Sequence, residues 1–434
     1  MARRYFGTDG IRGIVGGDLT TALVEKIGRA AVLWAKAPGR AGTGSDPGRV
    51  LIGRDTRGSG PELEAALGRG ISSTGWTAVL AGVLPTPAVA LLTEDLGAVI
   101  SASHNPPEYN GVKLFDGEGC KLADEDEEAI ETLLDAPAPV SDRAPGAVER
   151  LGDAPENYLR HILEGFGSNL AGLRIAVDCA NGAFSELAPK AFEELGAEVH
   201  PIGNEPDGRN INVGCGATDL SALQETVTRL GLDLGVAFDG DGDRMLAVDE
   251  RGEALDGDQI LAILVLALGV DRVAVTVMTN LGFHRLMAEH GIRVVTTPVG
   301  DRYLLEALRR DHGLLGGEQS GHIVWLGNHV TGDGLAAALL LCRALGGRTL
   351  SEAAATMPRY PQAKRNVPVL HSTVPQSILD EADRITEELA GAGRVLVRPS
   401  GTEPLVRVLA EAETAEEAGK ICASIAALVA TELG

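Results

Sequence analysis

Three carboxylates fall within six residues at Asp239-Gly-Asp241-Gly-Asp243-Arg244. Anions this close repel one another unless a hard cation lies between them. An all-oxygen donor set suits Mg2+ or Ca2+ rather than zinc. The two glycines let the chain fold tightly enough to aim all three side chains at one point. Arg244 sets a positive charge beside that point, suited to a phosphate. The run also opens like an EF-hand, with Glu250 at the twelfth position. Arg244 at the sixth position, where a glycine is needed, and flanks that read as strands count against that fold. A solvated acidic hairpin turn is the plain structural alternative.

A second segment, Ser101-Ala-Ser103-His104-Asn105-Pro106, follows the apolar strand Gly97–Ile100, where an α/β sheet can expose a nucleophile. A serine hydroxyl needs a base or a metal to react. Alone, the segment reads equally as an asparagine–proline turn. Beside a three-carboxylate metal site, Ser103 Oγ, or an oxygen of a phosphate on it, can be the fourth protein ligand. Arg398-Pro-Ser400-Gly401-Thr402-Glu-Pro404 offers a guanidinium, two hydroxyls and a close-approach glycine N–H, a phosphate cradle, with Arg407 on the strand that follows. In Gly316-Gly-Glu318-Gln-Ser320-Gly321-His322, a carboxylate and a hydroxyl two residues apart could grip a pair of sugar hydroxyls. Arg12 in the glycine-rich start, Lys113 ten residues beyond Ser103, and Arg302 in Val299–Tyr303 are further cations; singly, each reads more often as a surface charge.

The elements that carry these loops alternate strand and helix. Val50–Ile52, Gly97–Ile100, Arg174–Val177, Gly231–Phe238, Arg272–Val277 and Gly291–Thr296 read as strands, with helices over Pro61–Gly70, from Gly182 through Leu195, and over Phe283–Glu289. This is an α/β pattern with mostly parallel sheets. Proline-rich stretches at 135–155 and 357–368 suit linkers, with a weaker break at 249–258. The last ~65 residues, with strands Arg394–Val397 and Leu405–Glu411 around a polar loop, suggest a small α+β domain.

At 434 residues the chain exceeds a single core, and its length suggests about three or four domains. The net charge of −23 argues against nucleic acid and anionic membranes as partners, while a locally basic pocket can still take a small anionic substrate. Aromatics at 3% leave little to stack bases. The start has no apolar leader run, and the longest apolar run, Ile260–Val270, is far short of a membrane helix. Five scattered cysteines without a CxxC pair read as reduced thiols. Together these point to the cytoplasm.

In order along nearly the whole chain, Phe-Gly-Thr-Asp-Gly-Ile-Arg-Gly, Ser-Ala-Ser-His-Asn-Pro, Asp-Gly-Asp-Gly-Asp-Arg, Gly-Glu-Gln-Ser-Gly-His and Arg-Pro-Ser-Gly-Thr-Glu-Pro resemble the signatures of the α-D-phosphohexomutase superfamily. Val-Gly-Asp-Arg-Tyr resembles its bacterial glucosamine branch. The resemblance implies four domains around a cleft, one loop from each: three related α/β domains over 1–150, 151–255 and 256–365, then a smaller α+β domain over 366–434. It implies that Ser103 carries phosphate and that Ser103, Asp239, Asp241 and Asp243 hold one Mg2+ per active site. Glu318 and Ser320 would bind the sugar, and Arg398, Ser400, Gly401, Thr402 and Arg407 the distal phosphate, with Arg12 and Arg302 as further cations for the substrate. Lys113, His104 and His322 are the acid/base candidates, and Arg244 stands beside the metal. The implied reaction is reversible conversion of glucosamine 6-phosphate to glucosamine 1-phosphate, primed by a hexosamine or glucose 1,6-bisphosphate. A phosphomannomutase or phosphoglucomutase, a sugar-phosphate-binding protein without activity, and a phosphatase are the alternatives. An apolar first-domain surface could support a homodimer.

Overall fold

The computed structural model describes residues 4–7, 9–37, 47–135, 144–371, 373–400 and 404–434. By internal contact the chain divides into two compact units, Met1–Val277 with Val294–Thr356, and Met278–Arg293 with Met357–Gly434.

The first sheet runs, in spatial order, Ile11–Ile14, Tyr109–Asp116, Leu96–Ile100, Arg49–Arg54, Thr77–Val83 and Val148–Arg150. Its last four strands are parallel, and Tyr109–Asp116 runs antiparallel to both of its neighbours. The helices Thr21–Ala35 and Gly60–Ser72 bury Val24, Ile27, Leu63, Leu67 and Ile71 in one core with Val50, Ile52, Leu96 and Ile100. Thr20 caps the first helix by accepting the Leu23 N–H, and Pro61 opens the second, where its missing N–H costs nothing.

The second sheet runs Ala254–Leu255, Met245–Asp249, Leu234–Phe238, Arg174–Asp178, Glu198–Ile202, and the third Arg293–Thr297, Arg272–Thr276, Leu315–Gly317, Ile323–Trp325. In all three sheets one strand turns back into an antiparallel neighbour. Leu96–Ile100 turns into Tyr109–Asp116, Leu234–Phe238 into Met245–Asp249, and Leu315–Gly317 into Ile323–Trp325. The turn-back residues are the serine segment, the aspartate run and the Glu318–His322 segment. This common plan relates the three α/β layers. It also rules out an EF-hand, since strands flank the aspartates.

The second unit is a three-stranded antiparallel sheet, Gln362–Pro368, Leu405–Glu411, Arg394–Pro399, covered by helices Gln376–Glu388 and Ala415–Leu433 around Val367, Ile378, Val395, Val406, Val408 and Ile425. Helix Leu281–Glu289 belongs to this unit, and Leu281 N donates to Glu411 Oε1 at 3.2 Å.

Several expected boundaries shift. Gly231 is not the start of a strand: it caps helix Ser221–Leu230 at φ 61, and the strand begins at Leu234. Each expected linker holds a strand at its far end, Val148–Arg150 in one and Gln362–Pro368 in the other. Both lie at sheet edges, where backbone pairing suffices and a terminal proline is tolerated. Pro137 and Pro139 fall outside the described residues. The break at 249–258 is a tight return: Ala254–Leu255 pairs with Met245–Asp249 before helix Gly257–Leu268, which buries most of the longest apolar run. Among the described residues no helix is long and apolar enough to cross a membrane.

Candidate active site

The serine segment is held from beneath by two fully buried charges. Asp55 accepts from Arg57 Nε at 2.8 Å and from Ser101 Oγ at 2.6 Å, and Ser101 Oγ accepts the Ser103 N–H at 2.8 Å. The Arg57 guanidinium also donates to the carbonyls of Ser103 (2.9 Å), Asn105 (2.8 Å), Tyr109 (2.9 Å) and Pro106. Burial pushes the Asp55 carboxyl upward, against the pull of Arg57 and Ser101. Ser103 adopts φ 51, and its buried hydroxyl donates to Asp239 Oδ2 at 2.6 Å. Residues 136 positions apart therefore meet within ligation range.

Backbone packing permits the approach. A Cβ on Gly240 would lie 2.6 Å from the Ser103 carbonyl oxygen, so only glycine fits. Gly242, at φ 80, turns the chain beside Phe184, whose ring a Cβ would strike at 2.4 Å.

Carboxylate oxygens of Asp239, Asp241 and Asp243 lie within 4.8 Å of one another, all buried. Asp241 Oδ1 and Asp243 Oδ1 are buried without a hydrogen-bond partner. Two such oxygens aimed into an all-oxygen cluster fit a hard divalent cation. Burial raises the Asp239 carboxyl well above its usual range, and Asp243 and Asp241 add to the rise. Burial also works against Asp241 and Asp243, yet chiefly Lys113 brings both below the usual range.

Lys113 is buried, with Nζ 2.8 Å from Asp241, 3.4 Å from Asp243 and 3.1 Å from Asp9. Burial opposes its charge, but the three acids outweigh burial and hold its pKa well above that of an ordinary lysine. Arg12 pairs with Asp9, as does Lys121, which also pairs with Asp301. Arg244 N donates to Asp239 Oδ1 at 3.1 Å, and its Nη1 lies 3.0 Å from His104 Nδ1. A guanidinium only donates, so that ring nitrogen accepts. Burial, then Arg244 and Arg12, hold His104 at about 4, so the imidazole is neutral near pH 7, with Nδ1 3.3 Å from Ser103 Oγ. His322 is buried 3.9 Å from both Asp243 and Asp301; its pKa is raised because these acids and Glu318 outweigh burial.

Glu318 accepts the Gly300 N–H at 3.0 Å and Ser320 Oγ at 3.3 Å, bringing the third sheet's loop together with the Val299–Tyr303 segment. Arg302 extends elsewhere: it pairs with Asp124 and, at 3.1 Å, with Glu127. In the second unit, Arg398 and Arg407 line a cavity of about 240 Å³ with Lys364 and Asn366, and Arg407 Nη2 donates to Ser400 Oγ at 3.3 Å. Gly401 and Thr402 lie outside the described residues.

Several positioning groups lie outside the candidates that the sequence offers. Thr86 donates to Asp241 twice, N to the carbonyl at 2.9 Å and Oγ1 to Oδ2 at 2.6 Å. Asp9 and Lys121 complete the charge cluster, and Asp55 and Arg57 support the serine. The signal available was the unbroken Arg54-Asp-Thr-Arg57 after an apolar strand, charges too close to a core to be idle.

A serine hydroxyl bonded into a buried acidic cluster, on loops that end related α/β layers, has the donor set that metal-assisted phosphoryl transfer requires. The chain belongs to the phosphoglucomutase/phosphomannomutase family: models of its α/β/α domains I, II and III match residues 3–139, 156–252 and 256–360, and that of its C-terminal domain matches 364–428. It is 47% identical to the phosphoglucosamine mutase of Moorella thermoacetica, covering 97% of this chain and 98% of that protein. It is 48% identical to the phosphoglucosamine mutase of Pelotomaculum thermopropionicum, covering 94% of each. A solved phosphoglucomutase/phosphomannomutase family protein from Burkholderia thailandensis superimposes with a TM-score of 0.82 at 25% identity, covering 98% of this chain and 97% of that one.

Proposed function

We propose that this chain is a phosphoglucosamine mutase, interconverting glucosamine 6-phosphate and glucosamine 1-phosphate in the cytoplasm, with the domain boundaries 1–150, 151–255, 256–365 and 366–434. The observation that carries the chemistry is the 2.6 Å bond from Ser103 Oγ to Asp239 inside the three-acid cluster; the choice of sugar rests on the near-full-length relatives. Ser103, Asp239, Asp241 and Asp243 would hold a Mg2+, which supplies positive charge to the phosphoryl group in transit.

Phospho-Ser103 gives its phosphoryl group to O1 of glucosamine 6-phosphate. The P–Oγ bond breaks, a P–O1 bond forms, and glucosamine 1,6-bisphosphate results. After turning over, the bisphosphate returns its 6-phosphoryl group to Ser103 Oγ and leaves as glucosamine 1-phosphate. Glucose 1,6-bisphosphate, or the hexosamine equivalent, primes a chain that lacks phosphate on Ser103. The Ser103 hydroxyl proton has an acceptor in reach in Asp239 Oδ2; His104 Nδ1, 3.3 Å away, takes it only once released from the Arg244 N–H. O1 loses its proton as it attacks and the departing Ser103 Oγ takes one up; in the return step O6 gains a proton, for which Lys113 and His322, both held toward their protonated forms, are the donors. Arg12 and Arg244 attract the reacting phosphate, Glu318 and Ser320 bind sugar hydroxyls, and Arg398, Ser400, Gly401, Thr402 and Arg407 bind the phosphate that does not react. Arg302, paired with acids, joins them only if substrate outcompetes Asp124 and Glu127.

The test replaces Ser103 with alanine and follows intact mass and turnover on glucosamine, glucose and mannose phosphates. The proposal expects loss of both phosphorylation and turnover, and wild-type kcat/KM greatest for glucosamine phosphate. Near-normal turnover by Ser103→Ala would remove Ser103 from its role. Greater efficiency on mannose or glucose phosphate would reassign the sugar.

A further inference from the structure

The Ser103 carbonyl oxygen accepts two donors from two different layers, Arg57 Nη2 at 2.9 Å and Asn212 Nδ2 at 2.9 Å. The same two groups reach the Asn105 carbonyl at 2.8 Å and 3.2 Å. Arg57 belongs to the first sheet's own layer. Asn212 comes from the second layer, on the segment between strand Glu198–Ile202 and helix Ser221–Leu230. Its carboxamide is a neutral group with two N–H bonds, matched to two carbonyls on one loop.

Asn212 is itself fixed. It sits at φ 59, and its N–H donates to the Ala180 carbonyl at 2.9 Å. Ala180 and Asn181 follow one another at φ 55 and 49. The Asp178 carboxylate holds that turn, accepting Ala180 N at 3.0 Å and Gly216 N at 2.7 Å. Ser103, at φ 51, occupies a conformation that residues other than glycine, asparagine and aspartate rarely adopt, and such a conformation persists only when its surroundings over-determine it. Arg57 braces the loop from within its own layer, and Asn212 completes the brace from the second layer.

We propose that Asn212 is a positioning residue for phosphoryl transfer: its carboxamide clamps the Ser103 and Asn105 carbonyls and thereby keeps Ser103 Oγ directed at Asp239. The clamp acts on orientation rather than on substrate contact, so it governs kcat more than KM. It rests on the reading of Ser103 as the phosphoryl carrier.

The experiment uses the full-length chain with Asn212→Gly and Asn212→Asp, both compatible with a positive φ. The glycine variant deletes both donations. The aspartate variant keeps the shape and turns a carboxylate toward two carbonyls. Intact mass after glucose 1,6-bisphosphate reports phosphate on Ser103, and steady-state rates on glucosamine phosphate give kcat and KM. The clamp predicts kcat lower by about 10- to 100-fold in Asn212→Gly, lower again in Asn212→Asp, and KM within about threefold of wild type. Variants matching a phosphorylated wild type within twofold would overturn the clamp alone. So would an aspartate variant faster than the glycine variant, or losses in kcat that merely track the folded fraction measured by circular dichroism. A wild-type chain turning over without phosphate on Ser103 would overturn the carrier assignment, and the clamp with it.

Discussion

Gly240→Ala tests the convergence of the two loops directly. The added methyl carbon would lie 2.6 Å from the Ser103 carbonyl oxygen, 2.8 Å from Ile211 Cδ1 and 3.0 Å from Asn212 Nδ2. The Ile211 side chain can rotate aside. The carbonyl has less freedom, because Arg57 and Asn212 both hold it. Relief of the contact requires the serine loop to retreat by about 0.5–1 Å, and displacements of that size cost on the order of 10²-fold in rate. Overpacking of this kind destabilises by about 1–3 kcal/mol. The expected outcome is a modest fall in Tm with a fall of about 30- to 100-fold in kcat/KM. Turnover on glucosamine phosphate, paired with thermal melting, measures both. Gly419→Ala is the control: its Cβ meets nothing within 4 Å inside helix Ala415–Leu433, so activity should hold and stability rise by about 0.5–1 kcal/mol. Wild-type kcat/KM in Gly240→Ala would refute the claim that backbone contact between the loops sets the serine's position.

Other outcomes follow from the same geometry. Mg2+ at 100 times its Kd should stabilise the wild-type chain by about 2.7 kcal/mol, and Asp243→Ala should abolish that shift in a melting titration. Asp178 gives a pH signature. Burial pushes its carboxyl from 3.8 up to about 6, overcoming the N–H donors of Ala180 and Gly216. Between those values the folded chain keeps a proton that the unfolded chain has released, so stability falls as pH climbs through this window. Wild type should lose up to about 3 kcal/mol relative to Asp178→Asn between about pH 4 and pH 7, read by urea denaturation; parallel pH profiles would contradict it. Tyr158→Phe removes a 2.9 Å bond to buried Asp333, which also takes His329 Nε2 at 2.7 Å, and should cost about 1–2 kcal/mol in the same assay.

The pairing of Ser103 with the aspartates was legible in the sequence because each segment is chemically incomplete alone. A crowded set of acids needs a cation, and an isolated serine needs activation. Arg302 shows the limit of that logic. A cation in a glycine-bearing loop looks available for phosphate, but only the folded chain brings Asp124 and Glu127 to it. Asn212 and Thr86 were illegible for the opposite reason. Neutral donors leave no charge pattern, and their partners lie far along the chain. Among the strands, Leu234–Phe238 and Leu96–Ile100 announce themselves by being buried on both faces. Val148–Arg150 is exposed throughout, and Gln362–Pro368 carries Lys364, Arg365 and Asn366 in succession. Such edge strands exist through backbone pairing, which side-chain patterning cannot report.

The hairpin that ends each α/β layer is a standard socket. Its two strands stand about 5 Å apart whatever the loop between them contains, so the mouth of the socket is fixed by the sheet. The residues in the mouth can then be exchanged for others without disturbing the packing below. A scaffold of this sort separates two kinds of evolutionary change. Alterations in strands are judged by volume, and alterations in the mouths by chemistry. New sugar preferences would accordingly be sought by grafting a few loop residues between relatives, with the strands left as they are.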